Sequence, residues 1–256
     1  MSFDKLEYIS IENQTTEFPK HFHETFCISL IHKGTEQIDF ENQSLFSEAN
    51  SISITNPYEI HSNPLIDKSS YLKFDTIYVP NKLMKLALNG ENIQFINGNR
   101  KIKSNKTNTL FLELKEALDS KKNKAIEYHF FKFVYALKKY SEENKNEYSN
   151  VDFNNFNEVN IYIENHIQQK FCLDELSRIV NINKYGFAKK FKAITGMSPI
   201  NYILMRKVFS SKKLIDSTTN LTDIAYQYNF TDMSHYSKTF KRFIGISPKE
   251  YKESTI

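Results

Sequence analysis

Two stretches in the C-terminal part of the chain carry lysines together with small or polar residues at helical spacing. In residues 184–195, one predicted helix face holds Tyr185, Ala188, Lys189 and Lys192. In residues 233–244, the same face holds Met233, Ser234, Ser237, Lys238 and Lys241. A small or polar face with lysines at its margin fits the major groove of DNA and the phosphates beside it. These residues are therefore candidate DNA contacts.

A repeated phrase shows which elements position these faces. FKAITGMSPINY (191–202) returns as FKRFIGISPKEY (240–251). In both copies a glycine, Gly196 or Gly245, suits the left-handed residue that ends a helix. The Ser-Pro pair that follows suits the start of another helix, with the serine as its cap and the proline in its first turn. The first N–H groups of such a helix can hold a phosphate oxygen, which adds Ser198 and Ser247 to the candidate contacts.

The duplication extends upstream, so that each copy consists of a short helix, a tight turn and a second helix. The predicted helices are 173–180 and 184–195 in the first copy, and 221–228 and 233–244 in the second. Asn181 and Asn229 fall in the turns because Asn tolerates a positive φ, and Asn183 and Asp232 are good N-caps. The predicted buried stripes of the second helices are Phe187, Phe191 and Ile194, and Tyr236, Phe240 and Phe243.

Two helices joined by such a turn form a helix-turn-helix unit. The alternative is a tandem helical repeat that packs without binding a partner. The duplicated caps, the polar faces and the local charge favour DNA. The chain has 256 residues and a net charge of +4. From Lys184 onward there are 13 lysines and arginines and 5 acidic residues, whereas residues 1–150 hold 19 lysines and arginines and 20 acidic residues. A basic segment beside a nearly neutral one suggests an appended module for a polyanion.

The N-terminal part has a different pattern. Alternating or short apolar runs at 26–31, 36–40, 50–55 and 71–79 predict strands, and strands at this spacing predict a small sandwich or barrel. From Pro80 the period becomes helical, at 81–88 and around 110–118 and 126–137. The apolar stripes of these helices belong to the core or pair two subunits.

We therefore predict a multidomain protein with a small N-terminal β-barrel, helices after it and an all-α C-terminal domain. The predicted domains are a sensor barrel in 1–80, a helical dimerisation segment in 81–140, a polar linker in 141–157 and a DNA-binding domain in 158–256. No apolar run approaches the ~20 residues of a membrane-spanning helix, and no export signal is present. Cys27 and Cys172 suggest no disulfide framework, so we expect a cytoplasmic protein.

Residues 158–252 resemble the DNA-binding region of the AraC/XylS family of bacterial transcription regulators. The matching segments are YIENHI (162–167), LDELSRIVNIN (173–183), FAKKFKAITGMSP (187–199) and LTDIAYQYNFTDMSHYSKTFKRFIGISPKEYK (221–252). The resemblance implies helix-turn-helix units at about 173–195 and 221–244, a linking helix at about 199–216, and binding to two adjacent major grooves. Asn229 departs from the family's usual Gly, and Gly186 and Ala188 stand where larger side chains are usual. Specificity in the first unit would then depend on Tyr185, Lys189 and DNA shape.

FPKHFHETFCISLIHKG (18–34) and NPYEIH (56–61) resemble the small cupin barrel at the N-terminus of many AraC-type regulators. In enzymatic cupins two His, a Glu and a later His bind a metal. Here His21, His23 and His61 stand at those places, and Cys27 falls where the Glu would be. Three imidazoles and a thiolate can hold zinc. The missing carboxylate favours metal-free histidines, and we predict no cofactor.

The same resemblance implies an effector pocket inside the barrel. Apolar walls are expected from Phe26, Ile28, Ile52 and Ile54, and polar contacts from His21, His23, Glu59 and His61. The predicted function is a sequence-specific DNA-binding regulator, as a homodimer, whose small-molecule effector changes how it engages DNA. The alternatives are a metal-dependent cupin enzyme with a DNA-binding appendage, and a regulator without a ligand. The sequence holds no GxGxxG, Walker loop, GxSxG, HExxH or paired-Cys motif, and we predict no catalytic residue.

Overall fold

The chain forms two compact units. A computed structural model describes residues 3, 6–66, 71–149, 153 and 156–254. One unit comprises Met1–Glu17 and Phe22–Asn150, and the other comprises Phe18–His21 and Val151–Ile256. The linker predicted at 141–157 lies partly outside the described residues. In the part of the chain that is described, no helix has both the length and the apolar character to cross a membrane.

Two sheets build the N-terminal part. The strands are β1 (Glu7–Ile11), β2 (Phe18–His21), β3 (Thr25–Lys33), β4 (Thr35–Asp39), β5 (Ser44–Glu48), β6 (Ile52–Thr55), β7 (His61–Asn63), β8 (Lys73–Pro80), β9 (Ile93–Gln94), β10 (Lys101–Ile102) and β11 (Glu142–Glu143). One sheet has the order β1-β8-β3-β6-β10, and in the other β4 lies between β7 and β5. The two sheets face each other, because Ser53 of β6 donates a hydrogen bond of 2.5 Å to Glu36 of β4.

The four predicted strands are present as β3, β4, β6 and β8. The sequence did not predict β1, β5 or β7, which are at most five residues long. Part of the predicted linker has structure, because β11 pairs with β9 and the Tyr148 hydroxyl donates a hydrogen bond of 2.9 Å to the carbonyl of Ile93.

Alternation along β3 separates two buried environments. Ser29 lies opposite Ser53 of β6 and Thr76 of β8, on the side that faces the second sheet. Ile28, the preceding residue, points to the other side, where the strands pack against helices in one hydrophobic core. Both faces of β3 are therefore buried, which is why its sequence lacks a clean alternation of apolar and polar residues.

Three helices cover the outer face of the first sheet: α1 (Asn81–Ala87), α2 (Asn105–Ser120) and α3 (Asn123–Lys138). Ser104 is the N-cap of α2, and its hydroxyl accepts from the N–H of Thr107. Lys121 is the C-cap and is in the left-handed conformation, with φ of 53°. Phe111 of α2 and Phe133 of α3 meet edge to face, with ring centroids 5.8 Å apart. The predicted helical stripes thus form the core of this unit.

The C-terminal unit is helical. Its helices are α4 (Asn157–Asn165), α5 (Leu173–Ile179), α6 (Lys184–Thr195), α7 (Pro199–Lys212), α8 (Leu221–Gln227), α9 (Met233–Ile244) and α10 (Pro248–Ser254). Both predicted helix-turn-helix units are present, as α5–α6 and α8–α9. The linking helix α7 ends at Lys212, four residues before the predicted end at 216.

The predicted turns and caps are confirmed. Asn181 and Asn229 have φ of 52° and 54°. The Asn183 side chain accepts from the N–H of Gly186, and the Asp232 side chain accepts from the N–H of His235. Gly196 and Gly245, the glycines that end the second helices, have φ of 68° and 95°. Because each signal acts within four residues, the sequence alone sufficed to place these elements.

Aromatic side chains hold each helix-turn-helix unit together. Phe187 and Phe191 of α6 pack with Tyr202 of α7, and Tyr236 of α9 packs with Phe240. The predicted buried stripes are confirmed with one exception. Ile194 is only half-buried and lines an open groove, and Thr195 takes its place inside with a hydroxyl bond of 2.8 Å to the carbonyl of Phe191.

Candidate nucleic-acid interface and barrel interior

The two second helices, α6 and α9, expose the faces that the sequence predicted. On α6 Tyr185 is 79% exposed, Lys189 and Lys192 are exposed, and Ala188 is half-buried. On α9 the exposed residues are Ser234, Lys238 and Lys241, and the half-buried ones are Met233 and Ser237. The first turn of α6 lacks acidic residues and its cap, Asn183, is uncharged, so this N-terminus is favourable for anions. At the N-terminus of α9 the Asp232 carboxylate accepts from the N–H of His235 at 2.7 Å.

The helices that follow each unit differ at their N-termini. Ser198 caps α7 by accepting from the N–H of Asn201, and the first turn of α7 has no acidic residue. Ser247 and Glu250 instead form a capping box at α10, in which the Glu250 carboxylate accepts from the N–H of Ser247 at 2.7 Å. This hydrogen bond lowers the pKa of Glu250. A phosphate at Ser247 would meet this carboxylate, so we keep Ser198 and omit Ser247 from the proposed interface.

A buried lysine on α7, which no sequence pattern singled out, connects the two helix-turn-helix units. Lys207 is 5% exposed, and burial lowers its pKa to about 8. Its Nζ donates to the carbonyl of Gln169, before α5, at 2.7 Å and to the carbonyl of Tyr228, at the end of α8, at 2.6 Å. The Asn229 side chain adds a hydrogen bond of 2.7 Å to the carbonyl of Gln168. These bonds hold the entry to the first unit against the turn of the second.

The face between the two sheets of the N-terminal unit is polar. Glu36 is 2% exposed and accepts hydrogen bonds from Ser53 at 2.5 Å and from Asn63 at 3.1 Å. Ser29 and Thr76 share a hydrogen bond of 2.7 Å beside them. The burial of Glu36 was predictable from the sequence. Glu36 lies two residues before the buried Ile38 along β4, so both side chains point to the same face of the strand.

Glu36 makes the stability of the N-terminal unit depend on pH. Burial raises its pKa to about 7, although the bonds from Ser53 and Asn63 act in the opposite direction. A carboxyl whose pKa is raised by folding contributes stability that is complete below its unfolded pKa and is lost as the pH rises through about 7. We expect the wild type to lose roughly 3 kcal/mol of unfolding free energy between pH 5 and pH 8 through this group.

Urea unfolding of the Glu36→Gln variant at both pH values checks this prediction, since the amide cannot ionise. The variant should show a much smaller change in unfolding free energy, and Glu41→Gln, at an exposed position, should behave as the wild type. Equal pH dependence in the wild type and Glu36→Gln would contradict a buried ionisable Glu36.

Two of the three predicted histidines lie together in the N-terminal unit, where the ring centroids of His23 and His61 are 5.6 Å apart. His21 lies at the end of β2, a strand of the other unit, and its Nδ1 is 2.7 Å from the carbonyl oxygen of Pro19. His61 is buried, which lowers its pKa to about 4, with its bond to the carbonyl of Glu59 acting against this and Arg100 adding to it. His61 is therefore neutral at pH 7. The Sγ of Cys27 lies 3.9 Å from the carbonyl oxygen of Thr25.

The remaining predicted pocket residues have other partners. Glu59 holds Arg100 through two hydrogen bonds, of 2.6 and 2.5 Å, and the Arg100 guanidinium stacks 4.3 Å from the ring centroid of Phe40. Phe26 and Ile28, together with Ile52 and Ile54, pack in the helix-side core. Successive side chains of a strand point to opposite faces, and these four point to the helices. We therefore do not retain them as walls of the pocket.

Comparisons with known proteins agree with this architecture. Residues 176–254 match the family model of a helix-turn-helix domain, and residues 5–128 match that of an AraC-like ligand binding domain. The HTH-type transcriptional regulator YbfI of Bacillus subtilis is 27% identical over 234 residues, which cover 86% of this chain and 81% of that protein. The HTH-type transcriptional activator AarP of Providencia stuartii is 32% identical over 99 residues, which cover 38% of this chain and 73% of that protein.

Among solved structures, an apo form of a ToxT variant from Vibrio cholerae has a TM-score of 0.58 at 17% identity, with 98% of each chain covered. At this identity the likeness concerns the fold alone, and it extends over both units. The sequence matches supply the family, since they place a ligand-binding domain before a helix-turn-helix domain and their relatives are transcriptional regulators. The chain belongs to the AraC family of DNA-binding transcription regulators, with an N-terminal ligand-binding domain.

Proposed function

We propose that α6 and α9 read two adjacent major grooves of one DNA duplex. The observation that carries this proposal is the pair of capped helix-turn-helix units, each exposing a small or polar face with lysines at its margin. The proposed contacts are Tyr185, Ala188, Lys189, Lys192 and Ser198 around α6, and Met233, Ser234, Ser237, Lys238 and Lys241 on α9. The cytoplasm is the proposed place of action, because bacterial DNA is there.

In-vitro selection from randomised duplex DNA at near-physiological salt tests this function. We expect two enriched half-motifs about one helical turn apart. Lys189→Ala and Lys238→Ala should each weaken binding roughly 10- to 100-fold, with relaxed preference in one half-motif only. Lys190→Ala is the matched control, because Lys190 is an exposed lysine of α6 that lines the groove behind the first unit. Binding without any enriched motif would overturn sequence-specific recognition.

We propose further that the N-terminal unit, with domains as predicted at 1–80 and 81–140, binds a small molecule that alters DNA engagement. The AraC-like ligand binding model supports this, since it spans residues 5–128. One ToxT structure from Vibrio cholerae is described as bound to an unsaturated fatty acid, with a TM-score of 0.52 at 16% identity. Nothing in the comparisons favours the metal-dependent enzyme, so we propose a regulator without catalytic activity.

The proposed homodimer would pair through α2 and α3. Tyr128 and Tyr135, two turns apart on α3, are 60% and 74% exposed, and Leu112 of α2 is 46% exposed. Exposed aromatic side chains on one face are typical of protein interfaces. Sedimentation equilibrium of the full chain measures the oligomeric state directly, and a monomer at all concentrations up to about 100 times the DNA-binding range would rule out a functional dimer.

A further inference from the structure

The interior of the N-terminal barrel offers hydrogen-bonding groups where an apolar pocket was expected. The interior polar set consists of Gln14, Ser29, Glu36, Ser47, Ser53, Thr55, Asn63 and Thr76, all of which are buried. Cross-strand register places five of them together: Ser47 lies opposite Glu36, and Ser29 lies opposite both Ser53 and Thr76. Asn63 joins them by its hydrogen bond to Glu36, and the Gln14 side chain donates to the carbonyl of Asn63 at 3.5 Å. Thr55 follows Ser53 on the same face of β6, roughly 7 Å further along.

Some of these groups have no partner. Among the described residues, Oγ of Ser47, Oγ1 of Thr55 and Oε1 of Gln14 are buried without a hydrogen bond. A buried polar atom left unpaired costs free energy, and most such atoms in folded proteins are bonded to protein, water or a ligand. These three oxygens therefore need hydrogen-bond donors from outside the protein, which a bound molecule can supply.

Glu36 adds a charge requirement. Its two partners, Ser53 and Asn63, are both uncharged, and they leave the buried carboxyl without a compensating cation. The raised pKa of Glu36 is the consequence. A carboxylate in a dry interior is stable only when a positive charge pairs with it. A bound cation would stabilise the ionised form of Glu36, whose carboxylate would then accept hydrogen bonds beside the other unpaired oxygens.

We propose that this interior binds a small organic ammonium ion, which pairs with Glu36 and donates hydrogen bonds to Ser47, Thr55 and Gln14. The inference rests on the proposed role of the N-terminal unit as effector domain, and it names the ligand's chemical class. A fatty acid fits less well, because its chain would cover the hydroxyls without pairing them.

A matched pair of threonines tests the interior without a ligand. Thr55→Val removes an unpaired hydroxyl, so the ligand-free chain should melt about 2–4 °C higher. Thr76→Val removes a hydroxyl that is bonded to Ser29, so that variant should melt lower by a similar amount. A lower melting temperature for Thr55→Val would show that its hydroxyl serves the fold, and it would overturn the assignment of Thr55 to the ligand.

Binding of matched probes to the full-length chain tests the charge. Calorimetric titrations should show pentylammonium binding at least tenfold more tightly than 1-pentanol or pentanoate. Glu36→Gln should lose at least tenfold in affinity for pentylammonium, and Glu41→Gln should lose none. The proposal fails if pentanol or pentanoate binds equally well, if Glu36→Gln keeps the affinity, if oleate alone binds, or if no probe binds.

DNA selection with the same preparations separates this inference from the proposed function. If half-motifs are selected and the ammonium probe does not bind through Glu36, the proposed DNA recognition is supported and the proposed ammonium ligand is wrong. A chain that binds the amine through Glu36 and selects no DNA motif retains the ligand site and loses the proposed two-groove recognition.

Discussion

Replacing Lys207 by Met is expected to uncouple the two helix-turn-helix units. The variant leaves the carbonyls of Gln169 and Tyr228 without their buried donor, which we expect to lower the unfolding free energy by about 2–4 kcal/mol. Affinity for DNA that carries both half-motifs should fall at least 30-fold, because the recognition helices no longer hold one separation. The preference within each half-motif should persist, because neither recognition face is changed.

Fluorescence anisotropy with half-motifs at the selected spacing, and at spacings one and two base pairs longer or shorter, measures this effect. Wild-type affinity should drop sharply away from the selected spacing, and the dependence should be flatter for Lys207→Met. Lys190→Met controls for the lost charge, since Lys190 is exposed. If Lys207→Met keeps the sharp spacing preference, the Asn229–Gln168 bond and the packing of α7 suffice to position the units.

Replacing Gly34 by Ala should strongly destabilise the N-terminal unit and spare DNA binding. Gly34 has φ of +82°, and a Cβ there would lie 2.4 Å from the carbonyl oxygen of Tyr71. That oxygen belongs to the backbone and cannot move without displacing the strand after it. Left-handed φ costs about 1–2 kcal/mol for a residue with a Cβ, and the clash adds to it, so we expect a loss above about 3 kcal/mol.

Two other glycines of the same unit distinguish the cost of the positive φ from the cost of the clash with Tyr71. Gly98 has open space and no positive φ, so Gly98→Ala should change stability by less than about 0.5 kcal/mol. Gly90 has φ of +91° and open space, so Gly90→Ala should cost only the conformational term, about 1–2 kcal/mol. Calorimetry of the full chain and DNA affinity are the readouts. Equal effects at Gly34 and Gly90 would refute the clash with Tyr71.

The C-terminal unit was largely predictable because its signals are local. Asn181 and Asn229 adopt the positive φ that the turn requires, and Asn183 and Asp232 cap the helix that starts at the next residue. Each signal depends on neighbours within about one helical turn. The prediction that Ile194 is buried was wrong. Ile194, three residues after Phe191, lies at the margin of the buried face of α6, whereas Thr195, four residues after Phe191, lies inside.

The N-terminal unit was predictable only in outline. β3, β6 and β8 were found from their apolar runs, but such runs do not show which face points to the barrel and which to the helices. Phe26 and Ile28 were accordingly predicted to line a pocket, and they pack in the helix-side core. The short polar strands β5 and β7 gave no signal, although β7 supplies Asn63, which hydrogen-bonds to Glu36.

The sequence by itself determined the two helix-turn-helix units, their caps and the basic faces of α6 and α9, since these depend on residue spacing within single helices. Only the tertiary structure decided that the hydrogen-bond partners of Glu36 are uncharged and that Lys207 joins the two helix-turn-helix units. The physical reason is the same for both. The cost of burying a charge depends on groups brought together from distant parts of the chain, and local spacing carries no record of them.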